Sequence, residues 1–181
     1  MKTKILQMGA DNFGAGGRSV IAYNMTRPLT ADFQVDFLAI GELKNPSFHR
    51  IIEENGGRVQ HVKEISSKIK RLRSIYAILK KEKYNIVHIN ADDAIEALFT
   101  SILSKLTGAK IVLHAHTTSS CRGNGFVGRV KLLLARNIVN FLADCKLACS
   151  IEAAKYLYGD ATLSDILILK NGIIIDNFLY N

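Results

Sequence analysis

Short apolar runs that recur between stretches of helical periodicity set the narrowest limit on how this chain folds. The runs fall at 5–8, 35–40, 58–62, 86–89, 111–114, 146–149 and 166–169. Between them, Ser19 to Leu29 and residues 47–55 read as helices, and Ile65, Ile69, Leu72, Tyr76 and Leu79 mark one helical face. Ile95, Leu98, Ile102 and Leu106 mark the next, closed by Thr107-Gly108. Val127, Val130, Leu134, Ile138 and Phe141 mark a long helix, and Glu152 to Tyr158 a short one. Strands alternating with helices imply right-handed βαβ units and a parallel sheet. Runs apolar on both faces imply helices on both sides. The expected fold class is therefore α/β, a Rossmann-like parallel sheet of about seven strands flanked by helices. In such sheets ligands gather beyond the carboxyl ends of the strands.

At 181 residues with 48% hydrophobic content, the chain is one domain's worth with enough apolar mass for a core. No repeat or low-complexity linker marks an internal boundary, so 1–181 is read as one domain. No charge-free stretch approaches the roughly 18 apolar residues that span a bilayer. The apolar run after Met1 is too short for a signal peptide, which points to a cytoplasmic protein. Cys121, Cys145 and Cys149 are odd in number and form no CxxC pair, so reduced thiols are expected. The net charge of +8 calls for an anionic partner. It is concentrated in two places. Residues 63–83 carry eight lysines and arginines against two glutamates, and residues 118–143 carry four against none. Lysines and arginines beside an apolar helical stripe suit an anionic membrane surface, with Lys68, Lys70, Arg71 and Arg73 as contacts; a solvated face is the alternative. Nucleic acid is not expected, because no binding motif and little aromatic interleaving are present.

The residues that carry chemistry cluster at predicted strand ends. Gly9 to Gly17 joins the first strand to the first helix, where backbone amides and a helix N-terminus favour phosphate. The run fits neither GxGxxG nor GxxxxGK[ST], which argues against a nicotinamide oxidoreductase and a P-loop; a tight turn is the plainer reading. His114 and His116 lie two apart and face one side of a strand. His114 reads as a core histidine, and two histidines without a third ligand make no metal site. His116 opens a polar loop with Thr117 and Ser119, suited to hydrogen bonding a polyol. Asp93 reads as a helix cap, Asp92 as an acceptor for a hydroxyl, and Ser150 as another cap.

Five segments, in this order and spacing, resemble the amino-terminal half of a GT-B glycosyltransferase of the retaining family 4 type. They are Gly16-Gly17-Arg18-Ser19, Tyr84 to Asn90, Ile111 to Thr117, Ala148-Cys149-Ser150 with Tyr158-Gly159, and Leu169 to Phe178. The last departs from the family's Asn-Gly-Ile-Asp, with Ile174 at the acid's place and Asp176 two later. The Thr117–Arg129 segment looks like capsule or exopolysaccharide transferases. The resemblance implies that Gly16 and Gly17 approach the diphosphate of a nucleotide-sugar donor and that His116 sits near the transferring sugar. It implies that Arg122, Arg129 and Lys131 face a glycan or lipid-linked acceptor. No metal or cofactor is implied, and the nucleotide-sugar is a substrate. The family's second, nucleotide-sugar domain with its glutamate pair has no counterpart here. The chain alone is therefore expected to be inactive and the protein cytoplasmic, peripheral at the inner membrane face. A free-standing, non-catalytic module for a phosphorylated ligand or anionic membrane is the alternative.

Overall fold

The computed structural model describes residues 2–9, 17–43, 45–63, 66–92, 94–118 and 125–172. Seven strands form one parallel sheet: β1 (Thr3–Met8), β2 (Phe33–Ile40), β3 (Val59–Val62), β4 (Ile86–Ala91), β5 (Lys110–Ala115), β6 (Cys145–Ala148) and β7 (Ile166–Ile168). Six helices alternate with them: α1 (Gly17–Thr26), α2 (Pro46–Glu54), α3 (Lys68–Glu82), α4 (Ala94–Leu106), α5 (Phe126–Leu142) and α6 (Ile151–Tyr158). The strand order is β3-β2-β1-β4-β5-β6-β7. The chain winds outward from β1 to β3, then returns to add β4 on the other side of β1. Right-handed crossovers in the two directions put α1 and α2 on one face and α3 to α6 on the other.

Alternation along the strands feeds both layers. Ile5, Val35, Phe37 and Ala39 pack with Ala22, Phe48 and Ile52 under α1 and α2. Leu6, Met8, Val87, Ile89, Ile111 and Leu113 meet the larger layer, which draws Ile75, Leu79, Ala97, Val139 and Leu157 from the other four helices. A carboxyl group is sealed inside. The Asp36 carboxylate is fully buried and accepts from Tyr84 Oη at 2.8 Å, Arg58 N at 2.9 Å and Gln34 Nε2 at 3.0 Å. Element ends follow local chemistry. Asn45, Ser67 and Ser150 cap α2, α3 and α6 through their side chains, the last as expected. The first helix was expected to reach Leu29 but stops at Thr26, where a 3-10 turn over Arg27–Ala31 takes over; Pro28 supplies no N–H for an α-helical bond.

The apolar spacings mark three helices, and the structure shows which of their residues turn inward. On α3 the buried residues are Ile75 and Leu79, whereas Ile69 is 65% exposed; Ile65 lies outside the described residues. On α4 the buried positions are Ala94, Ala97, Ser101 and Ser104, with Ile102 and Leu106 exposed. On α5 the five apolar residues that mark the helix, Val127, Val130, Leu134, Ile138 and Phe141, are exposed, and Ala135 and Val139 are buried. The physical reason is common to the last two. These helices contact each other closely, and small side chains on the inner faces permit short interaxial distances. On α5 bulk is pushed outward, while Ile95, Leu98 and Leu103 of α4 still pack at the core's edge.

The α1/α2 layer covers only part of its face. Beyond β4 that face holds Val112, Leu147 and Leu167, with Leu167 exposed. A cavity of about 380 Å³ opens there between Met25, Ile86, Val112, Leu147 and Leu169, with His88 at its polar end.

At the carboxyl end of β1, Gly9 adopts φ +78°, and a Cβ on it would stand 2.1 Å from the Asn90 carbonyl oxygen. Gly9→Ala is expected to destabilise the chain by more than about 2 kcal/mol. Urea unfolding followed by circular dichroism checks this.

Candidate functional site

Polar side chains on otherwise apolar strands converge where β1, β4 and β5 end. The register pairs Gln7 with His88 and Asn90 with His114 across neighbouring strands. Residues paired in register share a face, and positions two apart share it too. Gln7, His88, Asn90 and His114 therefore crowd one side, and His116 follows at the strand end. The His88 and His114 rings stack at 5.5 Å, and His114 lies 4.0 Å from His116. His114 is fully buried, as expected of it. His88 was not among the expected site residues. Its signal was a lone polar residue in the apolar run 86–89, a pattern it shares with Gln7.

A hydrogen-bond relay fixes the tautomers. Asn90 Nδ2 donates to the Met8 carbonyl at 3.0 Å and to Gln7 Oε1 at 2.9 Å. A backbone carbonyl only accepts, so the Asn90 amide has one orientation and its Oδ1 faces His116 Nε2 at 2.9 Å. His116 Nε2 must carry a proton, which leaves Nδ1 with a lone pair. Gln7 Oε1 is engaged, so Gln7 Nε2 donates to His88 Nδ1 at 3.0 Å and His88 keeps its proton on Nε2. Among the described residues, His116 Nδ1, His88 Nε2 and both nitrogens of His114 have no hydrogen-bond partner.

All three rings are held neutral. Burial lowers His88 to about 3 and His114 to about 2, with neighbouring imidazoles adding to it. Burial and then the Arg18 charge lower His116 to about 4. The stacked rings do not converge on a point. Among the described residues no group of three His, Cys, Asp or Glu is placed to hold a metal ion.

The rim carries charge. Arg18, on the first turn of α1, donates to Asp92 Oδ2 at 2.9 Å and to the Asn90 carbonyl at 3.4 Å. Thr117 Oγ1 donates to the Asp92 carbonyl at 2.6 Å, and the Cys149 thiol to the His116 carbonyl at 3.6 Å. Cys145 and Cys149 are free thiols. The structure thus brings His116, Asp92 and Thr117 together, and adds Arg18, Asn90 and Gln7, which sequence reasoning had not assigned. Gly17 opens α1 with open space beside it. Gly16, Ser119, Arg122, Asp93 and Cys121 lie outside the described residues. Arg129 and Lys131 are exposed on α5. On α3, Lys70 and Arg73 are exposed, Lys68 Nζ sits 4.0 Å over the Phe99 ring, and Arg71 lines the same groove between α3 and α4.

No protein-family model matches the chain. It is 26% identical over 174 residues to "Putative glycosyltransferase EpsF" of Bacillus subtilis (strain 168), covering 92% of this chain and 44% of that protein. Anabaena HepE, solved with UDP and glucose, superposes with a TM-score of 0.68 at 17% identity over 96% of this chain and 46% of that one. The "putative UDP-N-acetylglucosamine 2-epimerase" of Listeria monocytogenes superposes with a TM-score of 0.56 at 12% identity, over 92% of this chain and 44% of that one. The fold is that of one half of a GT-B glycosyltransferase, and the sequence resembles glycosyltransferases. The chain spans about half the length of these relatives.

Two outcomes test the site. Asn90→Asp places a carboxylate against His116 and is expected to raise its pKa from about 4, read by NMR titration of the ring. Unfolded imidazoles bind protons below about 6.5, and the buried ones do not until about 4 or lower. The unfolded state therefore holds more protons in that window, and stability is expected to fall as pH drops through it. Urea midpoints at pH 7.5 and 5 should show the loss, and His114→Leu should make it shallower.

Proposed function

We propose that residues 1–181 form the acceptor-side, amino-terminal domain of a retaining glycosyltransferase of the family 4 type. In this reading it acts in capsule or exopolysaccharide assembly. The observation that carries it is the relay ending at His116, whose Nδ1 is a buried acceptor without a partner among the described residues, just beneath the strand edge where ligands of such sheets bind. The match to EpsF supports a transferase over other users of this fold.

Each group has a role. His116, neutral with a fixed tautomer, accepts a hydrogen bond from a hydroxyl of the transferring sugar and supports the oxocarbenium-like transition state. Arg18 and the amino end of α1, with Gly16 and Gly17, offer positive potential to the donor diphosphate as it leaves. Asp92, Thr117 and Ser119 address acceptor hydroxyls, and Arg122, Arg129 and Lys131 an anionic acceptor. Rigid placement on strand ends serves the positioning that such a transfer demands. These roles call on no metal or redox cofactor; the nucleotide-sugar is a substrate. The nucleotide-sugar domain would be supplied by sequence beyond this chain, and the chain alone would not transfer sugar efficiently. Lys68, Lys70, Arg71 and Arg73 would draw the protein to the anionic inner face of the membrane.

The test uses radiolabelled nucleotide-sugars, UDP-glucose first, with the longer protein and a lipid-linked or glycan acceptor. His116→Ala is expected to lower kcat by about 10²- to 10³-fold, with the fold intact by circular dichroism. Epimerisation of the donor without an acceptor would refute the transferase. Stabilisation of the chain by NAD and not by nucleotide-sugars would return the oxidoreductase reading.

A further inference from the structure

The outer side of α5 is apolar where a surface helix is ordinarily polar. Ala135 and Val139 turn inward, and Leu132 and Leu142 pack at the core's edge. Half a turn away, Phe126, Val130, Leu134, Ile138 and Phe141 line up at spacings of four and three, with Val127 beside them; all are exposed, Phe126 at 82% and Phe141 at 87%. Six large apolar side chains on one face exceed the scattered singles of an ordinary surface.

Charge selects the occupant. Arg129 and Lys131 are exposed on the flanks of the stripe, and Arg136 lies with its guanidinium 5.1 Å from the Tyr156 ring. No acid occurs anywhere from 118 to 143. A second copy docked on this face would set those cations against their like, which costs association energy. An anionic bilayer pairs with the cations and takes up the apolar side chains together. At 17 residues with three basic groups, α5 is not long and apolar enough to cross a membrane; a helix with such a face lies in the interface plane. Because α5 follows β5, its Phe126 end stands at the sheet edge that carries His116, and its Phe141 end at the opposite edge.

We propose that the outer face of α5 is a membrane seat, its phenylalanines and leucine buried among acyl chains and its cations among anionic headgroups. The basic residues of α3, in the same helical layer, add attraction without entering the bilayer. The seat would set the His116 edge beside the lipid surface from which a lipid-linked acceptor would arrive. Only that last consequence rests on the transferase reading; lipid binding is measured without sugar transfer, so either can fail alone.

The chain contains no tryptophan, so Phe141→Trp creates a sole reporter. Its emission is expected to shift to the blue with vesicles of phosphatidylcholine and phosphatidylglycerol, and to be quenched by brominated acyl chains. Phosphatidylcholine alone should give a weak response. In co-sedimentation, Phe126→Ser with Phe141→Ser should weaken binding about tenfold or more, while Lys70→Glu with Arg73→Glu weakens it and leaves the tryptophan shift on bound protein intact. Emission that does not respond to anionic vesicles overturns the proposal. So does an unchanged affinity in the serine variant, or a concentration-dependent dimer in sedimentation velocity that the serine variant abolishes.

Discussion

Asn90 stands where β1 and β4 part, and its carboxamide meets three partners there. It donates to the Met8 carbonyl and to Gln7, and accepts from His116. Its backbone carbonyl faces Gly9 on one side and Arg18 on the other. Parallel strands that separate at a reversal of winding leave a crevice, and this one residue ties the two lips of it together. Because the amide can be turned only one way, the protonation of two histidines follows from it. The Arg18 guanidinium is held at the rim by the same backbone carbonyl and by Asp92. A buried amide thus converts the geometry of the sheet into the chemistry of its edge.

The architecture was legible because strand and helix periods differ so clearly in this sequence. Runs such as 86–89 and 111–114 admit no other reading when helices flank them. The buried faces of the helices were less legible. Apolar spacing on α4 and α5 marks a real face, but the pattern does not say whether that face turns in or out. Here Ala97, Ser101 and Ala135 take the inside because close approach needs small side chains, and Leu134 and Phe141 take the outside. At the site, His116 and Thr117 were legible from their place after a strand. Gln7 and Arg18 were not, because their meaning depends on which strand neighbours β1, and a pairing 81 residues away leaves no local trace.

The fold is shared by enzymes that transfer sugars and by others that do not, so chemistry must be argued from the strand edge and not from the sheet. Among the described residues, three neutral imidazoles gather at that edge with the ion pair of Arg18 and Asp92. The neutrality is imposed by burial, and it keeps the histidines as hydrogen-bonding groups without adding to the positive charge of the rim. The surplus of cations is placed elsewhere, along α3 and around α5. Charge in this chain is thus partitioned between the helical layer, which carries the surplus cations, and the crevice, whose buried histidines are neutral.

The reach of the relay has a further consequence, for the order of assembly. Gln7 and His88 are 81 residues apart in sequence, and Gln7 and Asn90 are 83. The intervening chain holds β2, β3 and the first three helices, and closing so long a loop costs conformational entropy. Contacts of such separation form late in folding, after local helices and neighbouring strands. The tautomer of His116 is therefore a property that no fragment of the sheet possesses, and the edge becomes chemically defined only when the central strand has been inserted.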